Sequence, residues 1–381
     1  MDHVKILLVG IGGYGSLYVN ALLNETSGKY LLEGCVDPYP ERCARYRELT
    51  ARNIPVYGSM RDFYNEHDAD LAVISTPIHL HYPMILEALA NKSNVLCEKP
   101  LCGDERLLTP LLDAEAQSGK FVAVGFQWSH AEAMLAAKRD LMDGLYGRPV
   151  MLKTMVLWPR DHAYYARGTG WAGKLRAADG TLIRDSVANN ATAHYLFNPF
   201  FMLGDRIDRA KMPDEIESQT WCANKIETFD TAVLSARFRD GGEVYYAASH
   251  ACARTRNPVF EYRFEKGVLR YDRDGDGMVH GTLTEGRFAD GATEHCYGNP
   301  FAFDAGKLFM AADNVLNGTK SLCCGIEAAA VQVRLIAAMH AQNPRPASFP
   351  ADQVHDVERD GKTFTVCDGL AERMIETYEA K

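Results

Sequence analysis

At 381 residues the chain exceeds one ordinary domain, and about two, each with its own core, are expected. Hydrophobic residues make up 47% and charged ones 24%, a soluble globular composition that excludes a disordered or fibrous chain. A formal charge of −9 with no basic run argues against nucleic acid as the partner.

No apolar run is long enough to span a bilayer, and "VKILLVG" begins after three residues, leaving no room for a cleavable leader. A cytoplasmic protein free of the membrane is therefore expected. The ten cysteines are scattered without a C-x-x-C, and "LCCG" at 322–325 is an adjacent pair without metal-ligand spacing. Reduced, buried thiols are the reading, with no metal site.

The first element is "HVKILLVG", an apolar strand followed by "IGGYGSLYVNALL". Gly10, Gly12 and Gly15 match G-x-G-x-x-G, and Leu17, Ala21 and Leu22 carry helical spacing beyond it. "YLLEGCVD" is a second strand that ends in Asp37, about 20 positions past the last glycine, where a ribose-binding carboxylate belongs. Gly12 lets the backbone approach a pyrophosphate, and the helix N-terminus offers free N–H groups. The plainer reading is a structural glycine turn in some other α/β domain.

"DLAVISTP" (70–77), "NVLCEKP" (94–100) and "FVAVGFQ" (121–127) follow as short apolar runs, typical of parallel strands buried on both faces. Between them "HYPMILEALANK" is helical, with Pro83 near its first turn and Ile85, Ala88 and Leu89 facing inward. The alternation predicts a doubly wound parallel sheet, whose ligands bind at the carboxyl ends of the strands. Gly12, Asp37, Thr76, Lys99 and Gln127 all fall at such ends.

"GIGGYG", "VDP", "STPIHLHYP", "CEKPL" and "VGFQ", in that order, resemble the glucose–fructose oxidoreductase and inositol dehydrogenase family (Gfo/Idh/MocA). The resemblance is strongest over the first 130 residues. It implies an NAD-dependent enzyme acting on sugars, polyols or cyclitols, with Lys99 of the E-K-P tripeptide in the active site. It also implies that Gly10, Gly12, Gly13, Tyr14, Gly15, Asp37, Thr76, Pro77, His79, Glu98, Lys99 and Gln127 border the cofactor.

After Gly144 the pattern changes. "GRPVMLKTMVLWPR", "EIESQTWCANK", "DTAVLSARFRD", "EVYYAASHAC", "PVFEYRFEKGVLRYD" and "GMVHGTL" read as strands, several joined by tight turns. They predict a largely antiparallel sheet with a helix near 189–203, an α+β domain. The expected boundaries are 1–128 for the Rossmann domain and 129–381 for the second. A helix around 325–342 is expected, from the resemblance, to pack back near the first. "DRDGDG" (272–277) copies the start of a calcium loop, but Leu283 stands where the bidentate glutamate should be, so a solvated turn is expected.

In "DSVANNATAHYLFNPFFMLG" (185–204) Asn190 and His194 are four apart and share a helix face. The family has Asp-x-x-x-His here, so Asn190 departs from the pattern. Asp185 can supply the carboxylate only if the loop folds back. An aspartate at 190 would favour the imidazolium of His194. The plainer reading of His194 is a core histidine. Tyr164, Tyr165 and Trp171 are candidates to line the substrate pocket, with interface packing as the alternative.

Chemistry favours a charge at Lys99. Alkoxide character builds on a hydroxyl oxygen as its carbon loses hydride, and an ammonium beside that oxygen stabilises it. His194 is then the base or relay for the proton, with Asn190 beside it, and a surface pair of Lys99 with Glu98 is the structural alternative. The sequence therefore points to an NAD-dependent oxidoreductase of a small carbohydrate or polyol. An NAD-dependent glycosidase or lyase, or a non-catalytic dinucleotide-binding regulator, are the rivals, and a homodimer or homotetramer is expected.

Overall fold

Short runs rich in valine, isoleucine and leucine have no polar face to offer water, so they are buried from both sides by helices. In this chain six of them form one parallel sheet. The computed structural model describes residues 2–167, 170–302 and 304–381. The chain divides into two units, one of residues 1–131 and 303–330, the other of 132–302 and 331–381.

In the first unit the strands are β1 (Val4–Val9), β2 (Tyr30–Val36), β3 (Val56–Tyr57), β4 (Leu71–Ile74), β5 (Asn94–Cys97) and β6 (Val122–Val124). Their order is β3-β2-β1-β4-β5-β6, all parallel, the doubly wound arrangement with its switch point beside β1. Leu8, Val73 and Leu96 are buried with Tyr18, Val19 and Leu22 of helix Ser16–Leu23. The helix's buried face is Tyr18, Val19, Leu22 and Leu23; of the residues with helical spacing Leu22 is buried, while Leu17 and Ala21 are half-buried, and the Tyr18 hydroxyl donates to Glu98 on the buried side. The helix after β4 begins earlier than its apolar spacing suggested, at Ile78, so Pro83 lies inside Ile78–Ala90 beyond the first turn. Ile85, Ala88 and Leu89 face the core as expected.

The second unit is built on β7 (Pro149–Leu157), β8 (Glu215–Cys222), β9 (Thr231–Arg237), β10 (Glu243–Ser249), β11 (Arg256–Phe264), β12 (Gly267–Asp272), β13 (Val279–Leu283), β14 (Glu294–Gly298) and β15 (Ala347–Ser348). The order is β14-β13-β12-β11-β7-β10-β9-β8-β15. All neighbours are antiparallel except β7 with β10 and β8 with β15. Alternation sets the faces: Phe260, Tyr262 and Phe264 of β11 are buried, while Val259, Glu261 and Arg263 are half-buried on the opposite side. Helix Ala193–Met202 packs on β7 and β10. The tail, ambiguous in sequence, forms a hairpin (Val354–Arg359 with Lys362–Cys367) and helix Leu370–Ala380. Met374 and Tyr378 of that helix pack with Met155, Leu157 and Tyr245.

The calcium-like segment is a turn after β12. Arg256 takes both oxygens of Asp272 at 2.7 and 2.8 Å and reaches Asp274 at 2.7 Å, while Asp276 meets His280 at 2.6 Å. Those carboxylates are committed within the protein.

Candidate active site

The glycine loop between β1 and helix Ser16–Leu23 is shaped by two different needs. A Cβ on Gly15 would lie 1.9 Å from the Gly10 carbonyl oxygen, so this position admits only glycine. At Gly12 and Gly13 there is space: a Cβ on Gly12 would stop 4.0 Å from the Asp37 carboxylate, and one on Gly13 would meet nothing within 4 Å. Bare backbone facing open space at the start of a helix is a cradle for a pyrophosphate. Asp37, directly after β2, accepts from the N–H groups of Ile11 (3.0 Å), Gly12 (3.4 Å) and Tyr39 (2.9 Å). Its remaining lone pairs suit two ribose hydroxyls, and its charge disfavours a 2′-phosphate. These residues fit a dinucleotide.

Thr76 and Pro77 follow β4, and Pro77 caps the helix that carries His79. His81 ties two strand ends together, its ring nitrogens each 2.8 Å from the carbonyls of Thr76 and Pro100. Gln127 opens a short helical turn after β6 and donates to Asp304. Lys99 follows β5, half-buried, with its backbone N–H 3.3 Å from Glu98 Oε2 and a cis bond to Pro100.

Glu98 is buried, and its partners were not legible in sequence. Lys307 Nζ lies 2.6 Å from Glu98 Oε1, and the Tyr18 hydroxyl donates to the same oxygen. Lys307 also donates to the Tyr14 hydroxyl (3.1 Å) and the Gly125 carbonyl (3.1 Å). Burial works against the Lys307 charge, but the Glu98 carboxylate and the Tyr14 hydroxyl outweigh it and hold its pKa above the ordinary value. Burial and then Glu98 push the Tyr18 hydroxyl well above its usual range. One buried cation therefore joins the glycine loop (Tyr14), its helix (Tyr18), the segment of Lys99 and the end of β6. His130 completes this floor, 3.0 Å from the Val124 carbonyl and pushed down to about 4 by burial, so it is neutral.

In the second unit the stretch 185–204 holds a turn and then helix Ala193–Met202. The loop before it does fold back. Asn190 Nδ2 donates to Asp185 Oδ1 at 2.9 Å, and the Gly173 N–H donates to Asp185 Oδ2 at 2.6 Å. Asn189 pins the turn by donating to the carbonyls of Ile183 and Arg184 (3.1 Å each) and accepting from Gln332 (2.9 Å). His194 is half-buried in the first turn of the helix. Tyr164 and Tyr165 meet edge to face at 5.2 Å, and the Tyr165 hydroxyl is raised by burial first and then by Asp230. Trp171 lies beside Arg167.

The first unit is thus an NAD-binding Rossmann domain in fold and in loop geometry. Residues 4–126 match the model described as an oxidoreductase family with an NAD-binding Rossmann fold. Over these residues the chain is similar to the Gfo/Idh/MocA oxidoreductases. Curated relatives are similar over part of the chain. Inositol 2-dehydrogenase/D-chiro-inositol 3-dehydrogenase of Lactiplantibacillus plantarum is 26% identical over 152 residues, 39% of this chain and 43% of that protein. Inositol 2-dehydrogenase of Rubrobacter xylanophilus is 28% identical over 153 residues, 40% and 43% of the two chains. The matches span less than half the length of these relatives.

Solved structures extend the likeness in fold to both units. The WlbA dehydrogenase from Bordetella pertussis, in complex with NADH and UDP-GlcNAcA, aligns with a TM-score of 0.73 and 20% identity, covering 90% of this chain and 97% of that one. A levoglucosan dehydrogenase with NADH and levoglucosan aligns at 0.70 and 15%, covering 90% and 97%.

Proposed function

We propose that the protein is an NAD-dependent oxidoreductase acting on a hydroxyl of a sugar, polyol or cyclitol. The observation that carries this reading is Lys99 at the end of β5, in a dinucleotide-binding unit, beside a Glu98 whose charge is met by Lys307. The neighbouring relatives act on inositols and the structural neighbours hold sugar ligands, which supports the same class.

Bound NAD supplies the hydride acceptor. Lys99 holds its ammonium at the hydroxyl oxygen and stabilises the negative charge that grows there. Glu98 competes little for that ammonium, because Lys307 and Tyr18 occupy its Oε1. His194 exchanges the hydroxyl proton, and Asn190, anchored on Asp185, orients the histidine or a substrate hydroxyl. A homodimer or homotetramer, to be checked by sedimentation mass, and a cytoplasmic location complete the reading. For the second, the ten cysteines are all free thiols and no helix among the described residues is long and apolar enough to cross a membrane.

The test is a panel of sugars, polyols and cyclitols scored by NADH fluorescence, followed by Lys99→Met on the best substrate. The variant keeps stem volume and removes the charge, so turnover should fall by about a hundredfold or more with NADH affinity retained. Wild-type turnover in Lys99→Met would overturn the assignment.

A further inference from the structure

Two half-buried arginines stand apart from the ion-paired ones in this carboxylate-rich protein. Arg45, Arg106, Arg148, Arg237 and Arg256 each have an acidic partner. Arg160 and Arg167, in the connection after β7, have none among the described residues. Both are half-buried, and Arg160 Nε is shut off from solvent without a hydrogen-bond partner among those residues. Arg167 spends one N–H on the Tyr164 carbonyl, at 2.5 Å.

Their placement brings like charges together. The guanidinium carbons of Arg160 and Arg167 lie 4.9 and 3.6 Å from the centre of the same Tyr164 ring. Arg160 is also 5.4 Å from the Trp158 ring, and Arg167 is 4.9 Å from that of Trp171. Two half-buried cations on one ring repel each other, and aromatic faces return only part of that cost. The carboxylate at hand, Asp185, is committed to the Gly173 N–H and to Asn190. The field is felt nearby: burial, then Arg160 and also Arg167, push His250 down to about 3, with its ring 5.7 Å from that of Tyr164. Two guanidinium groups without an acidic partner, side by side on one ring, are a donor set that a carboxylate or phosphate completes.

We propose that Arg160 and Arg167 form a subsite for an anionic substituent of the substrate, so that the preferred ligand is a sugar acid or sugar phosphate and not a neutral polyol. The sugar ring rests on the carbohydrate reading above. The anion site rests on the arginines alone.

The experiment titrates the NADH-loaded protein with D-glucuronate, D-glucose 1-phosphate and D-glucose, reading tryptophan fluorescence, with NADH formation followed separately in NAD. At least one anion should bind about tenfold or more tightly than glucose, as a charge-assisted pair warrants, and the preferred anion tells carboxylate from phosphate. In Arg160→Gln/Arg167→Gln with an unchanged melting temperature the preference should vanish, and in Arg160→Lys/Arg167→Lys part of it should remain. Glucose binding as tightly as both anions, no anion binding, or a preference that survives the glutamine pair would each overturn the subsite. If the glutamine pair does not fold, the wild-type preference and its reduction in the lysine pair decide. Selective anion binding with no NADH formed on any substrate would refute the redox reading and leave the subsite standing. Oxidation of neutral sugars with no anion preference would do the reverse.

Discussion

At Glu98 a buried carboxylate has to be matched, and the match comes from a distant part of the chain. Lys307 is itself buried, so the pair gains from low dielectric what it lost in hydration only while both members are present. Removing one partner is the costly case. Lys307→Met should destabilise the protein by about 3–5 kcal/mol in urea unfolding, and adding Glu98→Gln should restore part of the loss. A loss in the double variant equal to the sum of the losses in Lys307→Met and Glu98→Gln would show that the pair is not coupled. The glycines and Asp37 were legible because their spacing is local and their chemistry is carried by the backbone. Lys307 was not: "DAGKLFMAADNV" reads as an ordinary amphipathic helix, and nothing local marks its lysine as a counter-ion. The one clue was Glu98 itself, an acid after a strand buried along its whole length.

Among the elements, the parallel strands and the alternating strands of the second sheet were readable from period, because each buries a defined set of faces. The edge strand β14, "EHCYG", and the short β15 were not, since exposed edges carry no apolar pattern. The turn before helix Ala193–Met202 was readable only as a departure from a motif. Its fold gives Asn190→Asp a consequence that the motif alone does not. The new carboxylate would stand where Asn190 now donates to Asp185 at 2.9 Å, so the two acids would share a proton and one pKa would rise. A carboxyl whose folded pKa is raised keeps its full contribution below the unfolded value near 4 and loses it as pH rises through the folded value. Asn190→Asp should therefore match wild type in melting temperature near pH 4 and fall progressively below it toward pH 8. A difference that does not change with pH would mean that Asp185 turns away from the new acid.

For the molecule as a whole, both units bury neutral imidazoles. Burial holds His130 and His340 at about 4, and burial with Arg160 holds His250 at about 3, against an ordinary value of 6.5. Unfolding frees all three to take protons at their ordinary pKa, so between about pH 6.5 and 4 the unfolded chain binds more protons than the folded one. Stability then rises with pH across that window and is lost as pH falls through it. Asp230, raised by burial, and Glu115, raised likewise, oppose the trend, since their folded forms hold protons longer than their unfolded ones. The histidines prevail by number. Each contributes on the order of 1–2 kcal/mol at pH 5, from about 1.4 kcal/mol per pH unit per proton. The unfolding free energy in urea should accordingly drop by several kcal/mol between pH 7.5 and pH 5, well before most carboxylates titrate. His250→Asn should lose less than wild type over the same interval, because one of the three protons no longer enters the balance. A flat profile from pH 7.5 to 5, or an unchanged slope in that variant, would mean that these imidazoles reach water or a carboxylate in the folded protein.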